Sequence, residues 1–150
     1  MQFQLTTRWR IPAPREEVFA AIAEPAAWPD WWPGVVSTRE DDPGDENGIG
    51  RSGEIVWRAP FGYRVRFEMT ARRIEPPELL EASAVGDLTG AGTWRFEQDG
   101  EATDVQFTWR VDADKPLMRA AAPLVRRILV WNHDRLMRAG EAALVQHLSR

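Results

Sequence analysis

The chain has 150 residues with 23 acidic and 19 Lys or Arg side chains, which gives a formal net charge of −4 at pH 7. No dense basic run is present, which argues against nucleic-acid binding, and no apolar run reaches the ~20 residues that a membrane-spanning helix needs. The sequence contains no cysteine, which excludes disulfides and metal sites built on thiolates.

The N-terminal segment predicts a strand followed by a short helix. Side chains alternate between apolar and polar from Phe3 to Ile11, the pattern of a strand with one buried face. Pro14 suits the first turn of a helix, because its missing N–H has no partner there in any case. Val18 and Ile22 then lie one helical turn apart, and the three prolines between 25 and 33 prevent a long helix.

The stretch WPDWWPGV, from Trp28 to Val35, concentrates three of the eight tryptophans in the chain. Three interpretations stay open: core packing at one end of the sheet, the rim of a ligand cavity, and a surface for a protein partner. Trp31 and Trp32 are neighbours, so we expect only one of them to point inward. The other is expected at the cavity rim or at the surface.

Residues 34–112 show only strand patterns, separated by turn-forming sequences rich in Gly, Pro and Asp. Short turns between consecutive strands predict an antiparallel sheet with one wet face. The inward positions of the strands carry large aromatic side chains: Trp57, Tyr63, Phe67, Trp94, Phe107 and Trp109. They either fill the core or line an elongated apolar pocket. Tyr63 is of interest because a buried phenol needs a hydrogen-bond partner, which a ligand could supply.

A single long helix is predicted over 123–148, after a possible helical turn over 115–122. Placing residues at steps of about 100° predicts an apolar face with Ile128 on it, Asn132 near its centre and Arg135 towards one edge. The other members of this face are Leu124, Val125, Trp131, Leu136, Ala139 and Ala143. Asn132 and Arg135 either pair with the sheet and solvent, or point into a cavity and orient a polar ligand group.

Nothing in the pattern predicts a catalytic residue, a metal site or a cofactor. His133 is expected at the margin of the helix, and one His beside one Asp gives too few ligands for a metal ion. Four strand glutamates fall on the outward phase, where general acid–base chemistry has no protected pocket: Glu54, Glu68, Glu81 and Glu97.

These elements predict an α+β fold in a single domain, 1–150. A curved antiparallel sheet of about seven strands must cover its apolar face, and the C-terminal helix is the only element long enough to do so. One or two short helices follow the first strand. A sheet that grips a helix in this way often leaves a cavity between them, and such cavities bind small molecules.

The opening strand, the segment IPAPREEVFAAIAEPAAWPDWWPGV and the closing VWNHDRLMRAGEAAL together resemble the SRPBCC or START-like superfamily. The resemblance covers nearly the whole chain. It implies the helix-grip fold, also seen in birch-pollen-allergen-like proteins, and it is closest to bacterial polyketide cyclase/dehydrase-like proteins. Fold-level likeness alone does not define a function.

The sequence leads to three functional hypotheses. The first is a protein that binds a lipid, polyketide or aromatic metabolite between sheet and helix. The second is a cyclase- or dehydrase-like enzyme in which Tyr63, Asn132 or Arg135 stabilises an enolate or donates a proton. The third is a protein-interaction module. We further expect a cytoplasmic location, since no signal-peptide run is present, and consider a homodimer.

Overall fold

We describe the protein from a computed structural model over residues 2–59, 62–112 and 122–149. Strand β1 is followed by helix α1, a 3-10 turn and the short helix α2, and then by six strands and the long helix α3. The bounds are β1 Gln2–Ile11, α1 Arg15–Ile22, the 3-10 turn Pro25–Ala27, α2 Trp28–Trp31, β2 Val35–Asp42, β3 Ser52–Arg58, β4 Arg64–Glu75, β5 Leu79–Gly86, β6 Thr89–Asp99, β7 Ala102–Asp112 and α3 Ala122–Leu148.

The seven strands form one antiparallel sheet in the order β1-β7-β6-β5-β4-β3-β2. Strands β2 to β6 each pair with the next strand along the chain, and β1 pairs with β7, placing Trp9 opposite Val105. The predicted helix-grip fold is therefore confirmed, with its short helices after the first strand. The helical turn predicted over 115–122 lies outside the described residues apart from Ala122.

Helix α1 forms where the sequence predicts it. Pro14 precedes its first residue with extended backbone angles, and Glu16 and Glu17 occupy the first turn, where the positive end of the helix dipole favours acidic side chains. Val18 and Ile22 are buried against the sheet. None of the helices in the described ranges is long and apolar enough to cross a membrane.

The tryptophan cluster of α2 lies entirely in the core. Trp28, Trp31 and Trp32 are all buried, so the expectation that one neighbour points outward is wrong. Helix α2 ends at Trp31, and the extended backbone of Trp32 (φ −99°, ψ 103°) brings its ring beside that of Trp31. The two rings stack with centroids 5.3 Å apart and planes 16° from parallel. All three tryptophans therefore pack in the core, and Trp28 and Trp32 also line the cavity described below.

The face of α3 that meets the sheet differs from the predicted one. Its buried residues include Asn132, His133 and Gly140, whereas Ile128 and Trp131, from the predicted face, are exposed. The difference is a rotation of about one residue, or roughly 100°. The physical reason is that the helix buries two polar side chains and a glycine. These residue types do not contribute to an apolar pattern, so the pattern does not mark the face that contains them as buried. Among the described residues of the predicted face, Asn132 and Leu136 are buried.

Candidate functional site

A cavity lies between the inner face of the sheet and helices α2 and α3, and we call it the aromatic cavity. It leaves about 70 Å³ in which the centre of a water-sized sphere fits, several times the roughly 10–15 Å³ that one water needs. Among the described residues, its lining contains no Lys, Arg, Asp or Glu. Seven aromatic side chains line it: Trp28, Trp32, Trp57, Phe67, Trp94, Phe107 and Trp109.

The register of the sheet sets the arrangement of these rings. Trp94 on β6 lies opposite Phe107 on β7, and the two rings stack with centroids 4.2 Å apart. Trp57 on β3 meets Trp109 nearly edge to face, at 5.1 Å and 89°. Gly92 makes room for this arrangement, because a Cβ at that position would lie 2.8 Å from a ring carbon of Phe107. The walls are therefore packed rings in the stacked and edge-on geometries that aromatic pairs prefer.

A second space adjoins the aromatic cavity, and we call it the outer opening. It offers about 100 Å³ by the same measure and shares Trp28, Ile55, Met69, Ala82 and Trp94 with the aromatic cavity. The shared walls make the two spaces neighbours in one elongated concavity.

Polar side chains surround the far side of the outer opening. Arg39, Glu40 and Arg51 are among its lining residues. Arg51 donates to the Ala23 carbonyl at 3.3 Å, and its Nε lies 3.4 Å from the Glu40 carboxylate. The concavity therefore changes from a charged outer end to an apolar inner end.

Five predicted site residues line the aromatic cavity: Trp57, Phe67, Trp94, Phe107 and Trp109. Asn132 is buried, as predicted, and borders a smaller adjoining pocket. Its amide Nδ2 donates to the Arg58 carbonyl at 3.5 Å, a long hydrogen bond to the backbone of the sheet. The structure thus brings together six of the nine residues predicted to contact a ligand. Their role in binding stays a prediction.

Tyr63 does not lie on the inner face, and its predicted placement is wrong. Arg58 pairs with Arg64, so Tyr63 falls in the turn beyond the paired residues, where its carbonyl accepts a hydrogen bond from the Ala59 N–H at 2.8 Å. Its side chain is 65% exposed. The alternating pattern gave the correct phase but extended it past the end of the strand.

Ile128 and Arg135 also lie outside the cavity, contrary to prediction. Ile128 is exposed on α3, and the Arg135 guanidinium carbon lies 5.4 Å from the ring centroid of Trp131, which is itself 54% exposed. Both displacements follow from the rotation of the buried helix face. Arg135 therefore has a cation–π contact at the surface and no position from which to bind a ligand carboxylate inside.

His133 is the site residue that the sequence analysis missed. It is 2% exposed, lines the aromatic cavity, and packs beside Phe107 and Trp109 with ring centroids 6.0 and 5.3 Å away. Burial lowers its pKa to about 4, against a smaller opposite effect of the Asp134 carboxylate. Neither ring nitrogen has a hydrogen-bond partner among the described residues. The available signal in the sequence was its position one residue after Asn132. That position indicates burial only when the rotation of the helix about its own axis is known.

The strand carboxylates stay away from the aromatic cavity. Glu54 lies 3.8 Å from Arg39 and 3.6 Å from Arg66 on the outer face. Burial and the neighbouring Asp41 carboxylate raise the pKa of Glu68. Glu81 borders the outer opening and lies 3.9 Å from Arg73. The arrangement provides no carboxylate for acid–base chemistry at the aromatic walls that the structure describes.

Fold and cavity together define the class of this molecule, a helix-grip protein of the SRPBCC or START-like superfamily. More specifically, the chain belongs to the family described as polyketide cyclase / dehydrase and lipid transport, whose family model matches residues 2–148. The resemblance inferred from the sequence is confirmed. Among curated proteins, no relative matches the chain significantly.

Solved structures share the fold. A protein from Thermus thermophilus has a TM-score of 0.81 at 22% identity, with 99% of this chain and 100% of that chain covered. The Zhui aromatase/cyclase from a Streptomyces species has a TM-score of 0.79 at 14% identity, with coverage of 100% and 95%. A START superfamily protein from Mycobacterium smegmatis has a TM-score of 0.79 at 13% identity, with coverage of 97% and 98%. At these identities the likeness shows the fold alone.

Proposed function

We propose that the protein binds a small, mainly hydrophobic molecule, of the lipid, polyketide or aromatic-metabolite kind, in the aromatic cavity. The observation that carries this proposal is the cavity wall, which has seven aromatic side chains and no charged side chain among its described residues. Such a wall favours apolar rings, because each buried Å² of apolar surface contributes about 25 cal/mol and each ring–ring contact adds about 0.5–1.5 kcal/mol.

The outer opening supports the same proposal by providing a route. It adjoins the aromatic cavity through five shared lining residues and carries Arg39, Glu40 and Arg51. A ligand that enters there leaves a polar environment and meets the aromatic walls. The polar end also suits a ligand that keeps one polar group near solvent while its apolar part is buried.

Native mass spectrometry of freshly purified protein is the first test. We expect either a bound apolar passenger or saturable, one-to-one binding of the neutral fluorescent probe N-phenyl-1-naphthylamine. A clean mass together with no saturable probe binding would contradict the proposal. The same spectrum reports the oligomeric state, so it also tests the homodimer, which stays a prediction.

A cavity-filling variant tests the location of binding. Ala84 is buried on β5 and lines the aromatic cavity, whereas its neighbour Val85 is 64% exposed on the opposite phase. We expect Ala84→Phe to weaken probe binding at least about tenfold and Val85→Phe to leave it unchanged. Overpacking costs about 1–3 kcal/mol of stability, so circular dichroism must first confirm that Ala84→Phe is folded. Equal probe affinity in folded Ala84→Phe and in the wild type would place binding elsewhere.

A second candidate function is a cyclase- or dehydrase-like activity on such a ligand. Its specific support is His133, a buried imidazole in the cavity of a protein whose family description includes polyketide cyclases and dehydrases. Tyr63 and Arg135 lend no support, because both lie outside the cavity. The discriminating experiment incubates the protein with a linear poly-β-ketone thioester and follows cyclised, dehydrated product by chromatography. Turnover that His133→Phe abolishes favours the enzyme, and binding without turnover favours the carrier.

A further inference from the structure

Two side chains that line the aromatic cavity, the buried His133 and the half-buried Trp57, carry buried polar atoms without partners among the described residues. Neither ring nitrogen of His133 nor the indole Nε1 of Trp57 has a hydrogen-bond partner among the described residues. Leaving a buried polar group unpaired is destabilising, and most such groups in proteins are paired. Trp32 shows the usual outcome, since its indole N–H donates to the Leu136 carbonyl at 2.9 Å. Trp9 also has an unpaired indole N–H, but it lines neither the aromatic cavity nor the pocket described next.

The unpaired groups of His133 and Trp57 belong to residues that border the same small space. A pocket of about 10 Å³, again measured at the centre of a water-sized sphere, is lined by Trp57, Trp109, Asn132 and His133 together with apolar side chains. That volume is about what a single oxygen atom requires. Trp57, Trp109 and His133 line both this small pocket and the aromatic cavity, so the two spaces adjoin. Asn132 adds an amide whose described hydrogen bond is long, at 3.5 Å.

His133 is suited to an uncharged partner. With a pKa of about 4, its ring is neutral at pH 7 and offers one donor and one acceptor. The nearest carboxylate, that of Asp134, lies 4.0 Å from Nδ1, beyond hydrogen-bond distance. No Lys or Arg is among the described residues that line the two pockets. A carboxylate placed there would be buried without a counter-charge, which is costly.

We propose that His133 and Trp57 bind an uncharged oxygen of the ligand, a hydroxyl or a ketone, in the small pocket while the ligand's rings occupy the aromatic cavity. The Trp57 N–H donates to this oxygen, and His133 either accepts from a hydroxyl or donates to a ketone. The inference rests on the proposed function and narrows it to neutral ring compounds that carry such an oxygen. It makes His133 and Trp57 determinants of ligand specificity.

Isothermal titration calorimetry at pH 7 with four related probes tests the proposal. The probes are naphthalene, 2-naphthol, 2-methoxynaphthalene and 2-naphthoate, which share a ring system and differ in one substituent. We expect 2-naphthol to bind about tenfold more tightly than naphthalene, since it satisfies groups that naphthalene leaves unpaired. We expect 2-methoxynaphthalene to fall between them, because its oxygen only accepts, and 2-naphthoate to bind at least tenfold more weakly than 2-naphthol.

Variants assign the preference to residues. His133→Phe and Trp57→Phe each remove polar atoms and keep an aromatic ring. Both should reduce the preference for 2-naphthol over naphthalene to about threefold or less, measured as the ratio of the two dissociation constants within each folded variant. His147→Phe is the matched control, because His147 is exposed and stacks on Trp31 instead of lining the cavity. It should retain the wild-type preference.

Nitrogen NMR of wild-type protein with ¹⁵N-labelled histidine gives a result that does not depend on any variant folding. The His133 ring nitrogens should shift on addition of 2-naphthol and change far less with naphthalene, while those of His147 serve as the internal reference. Unchanged His133 signals in the 2-naphthol complex would overturn the proposal, as would 2-naphthoate binding as tightly as 2-naphthol.

The outcomes separate this inference from the function on which it rests. If naphthalene binds and 2-naphthol shows no preference, the apolar cavity stands and the oxygen site is wrong. If none of the four probes and no other apolar probe binds, the proposed function fails, and the oxygen site fails with it.

Discussion

At the scale of single residues, His133 links the cavity to the stability of the fold. Its folded pKa of about 4 lies below the 6.5 of an unperturbed histidine. The unfolded chain therefore binds a proton between these two values while the folded protein does not. The stabilisation that this group contributes is fully present above pH 6.5 and is lost as the pH falls towards 4.

We expect the wild type to lose on the order of 3 kcal/mol of its free energy of unfolding through this group as the pH falls from 7 to 4. The variant His133→Phe has no such proton to bind, so its free energy of unfolding should fall less over the same range. Urea unfolding at several pH values measures both, and the difference between the two proteins isolates His133 from the other groups that titrate. A difference that stays constant from pH 7 to 4 would show that His133 is protonated in the folded protein as well.

At the scale of elements, Gly140 sets the distance between α3 and the tryptophan cluster. A Cβ at Gly140 would lie 2.5 Å from Trp32 Nε1 and 2.6 Å from Cε2, too close for any real contact. The indole therefore lies directly on the helix backbone, where it donates to the Leu136 carbonyl. A glycine inside a helix costs about 0.5–1 kcal/mol relative to alanine, and this close approach explains why one is present.

Gly140→Ala should accordingly destabilise the protein by about 1–3 kcal/mol, although alanine is the better helix former. In a Trp32→Phe background the same substitution should be less harmful or stabilising, because the indole nitrogen and the outer part of the ring are gone. Urea unfolding of the four proteins forms a double-mutant cycle, and we expect a coupling above about 0.5 kcal/mol. Additive effects would mean that Trp32 does not limit the space at residue 140.

The elements also show which features a sequence can predict. The strand pattern was sufficient for the sheet and for five of the six aromatic residues predicted to point inward, because neighbouring strands along the chain pair locally and side chains alternate strictly. The buried face of α3 could not be derived from periodicity. It contains Asn132, His133 and Gly140, whose burial depends on partners distant along the chain: the Arg58 carbonyl, the Phe107 and Trp109 rings, and the Trp32 indole.

The orientation of α3 also accounts for most of the misplaced site residues. Ile128 and Arg135 were placed inside by a helix turned about 100° from its true orientation, and His133 was placed at the margin by the same error. Tyr63 was misplaced because a turn, not a strand, precedes Arg64. Most of the aromatic walls were predictable from the sequence, whereas the positions of the polar atoms among them could be found only from the tertiary structure.

At the scale of the whole molecule, the cavity lies between the sheet and helices α2 and α3. Its walls come from strands β2 to β7 and from helices α2 and α3, so many of the same side chains form the core and line the cavity. A ligand bound there contacts both the sheet and helix α3. Binding to the folded state alone stabilises it by RT ln(1 + [L]/Kd), about 2.7 kcal/mol when the ligand concentration is 100 times Kd.

Hydrogen–deuterium exchange with and without N-phenyl-1-naphthylamine tests where this stabilisation acts. We expect slower exchange around Leu136 and Met137 of α3 and in the central strands β4 to β7, which line the cavity. An interior ligand protects these segments because they can no longer separate without releasing it. The exposed side of α3 around Leu124 and Trp131 offers a contrasting apolar surface. Protection confined to that side would mean that the probe binds the outside of the helix, and the aromatic cavity would then serve packing alone.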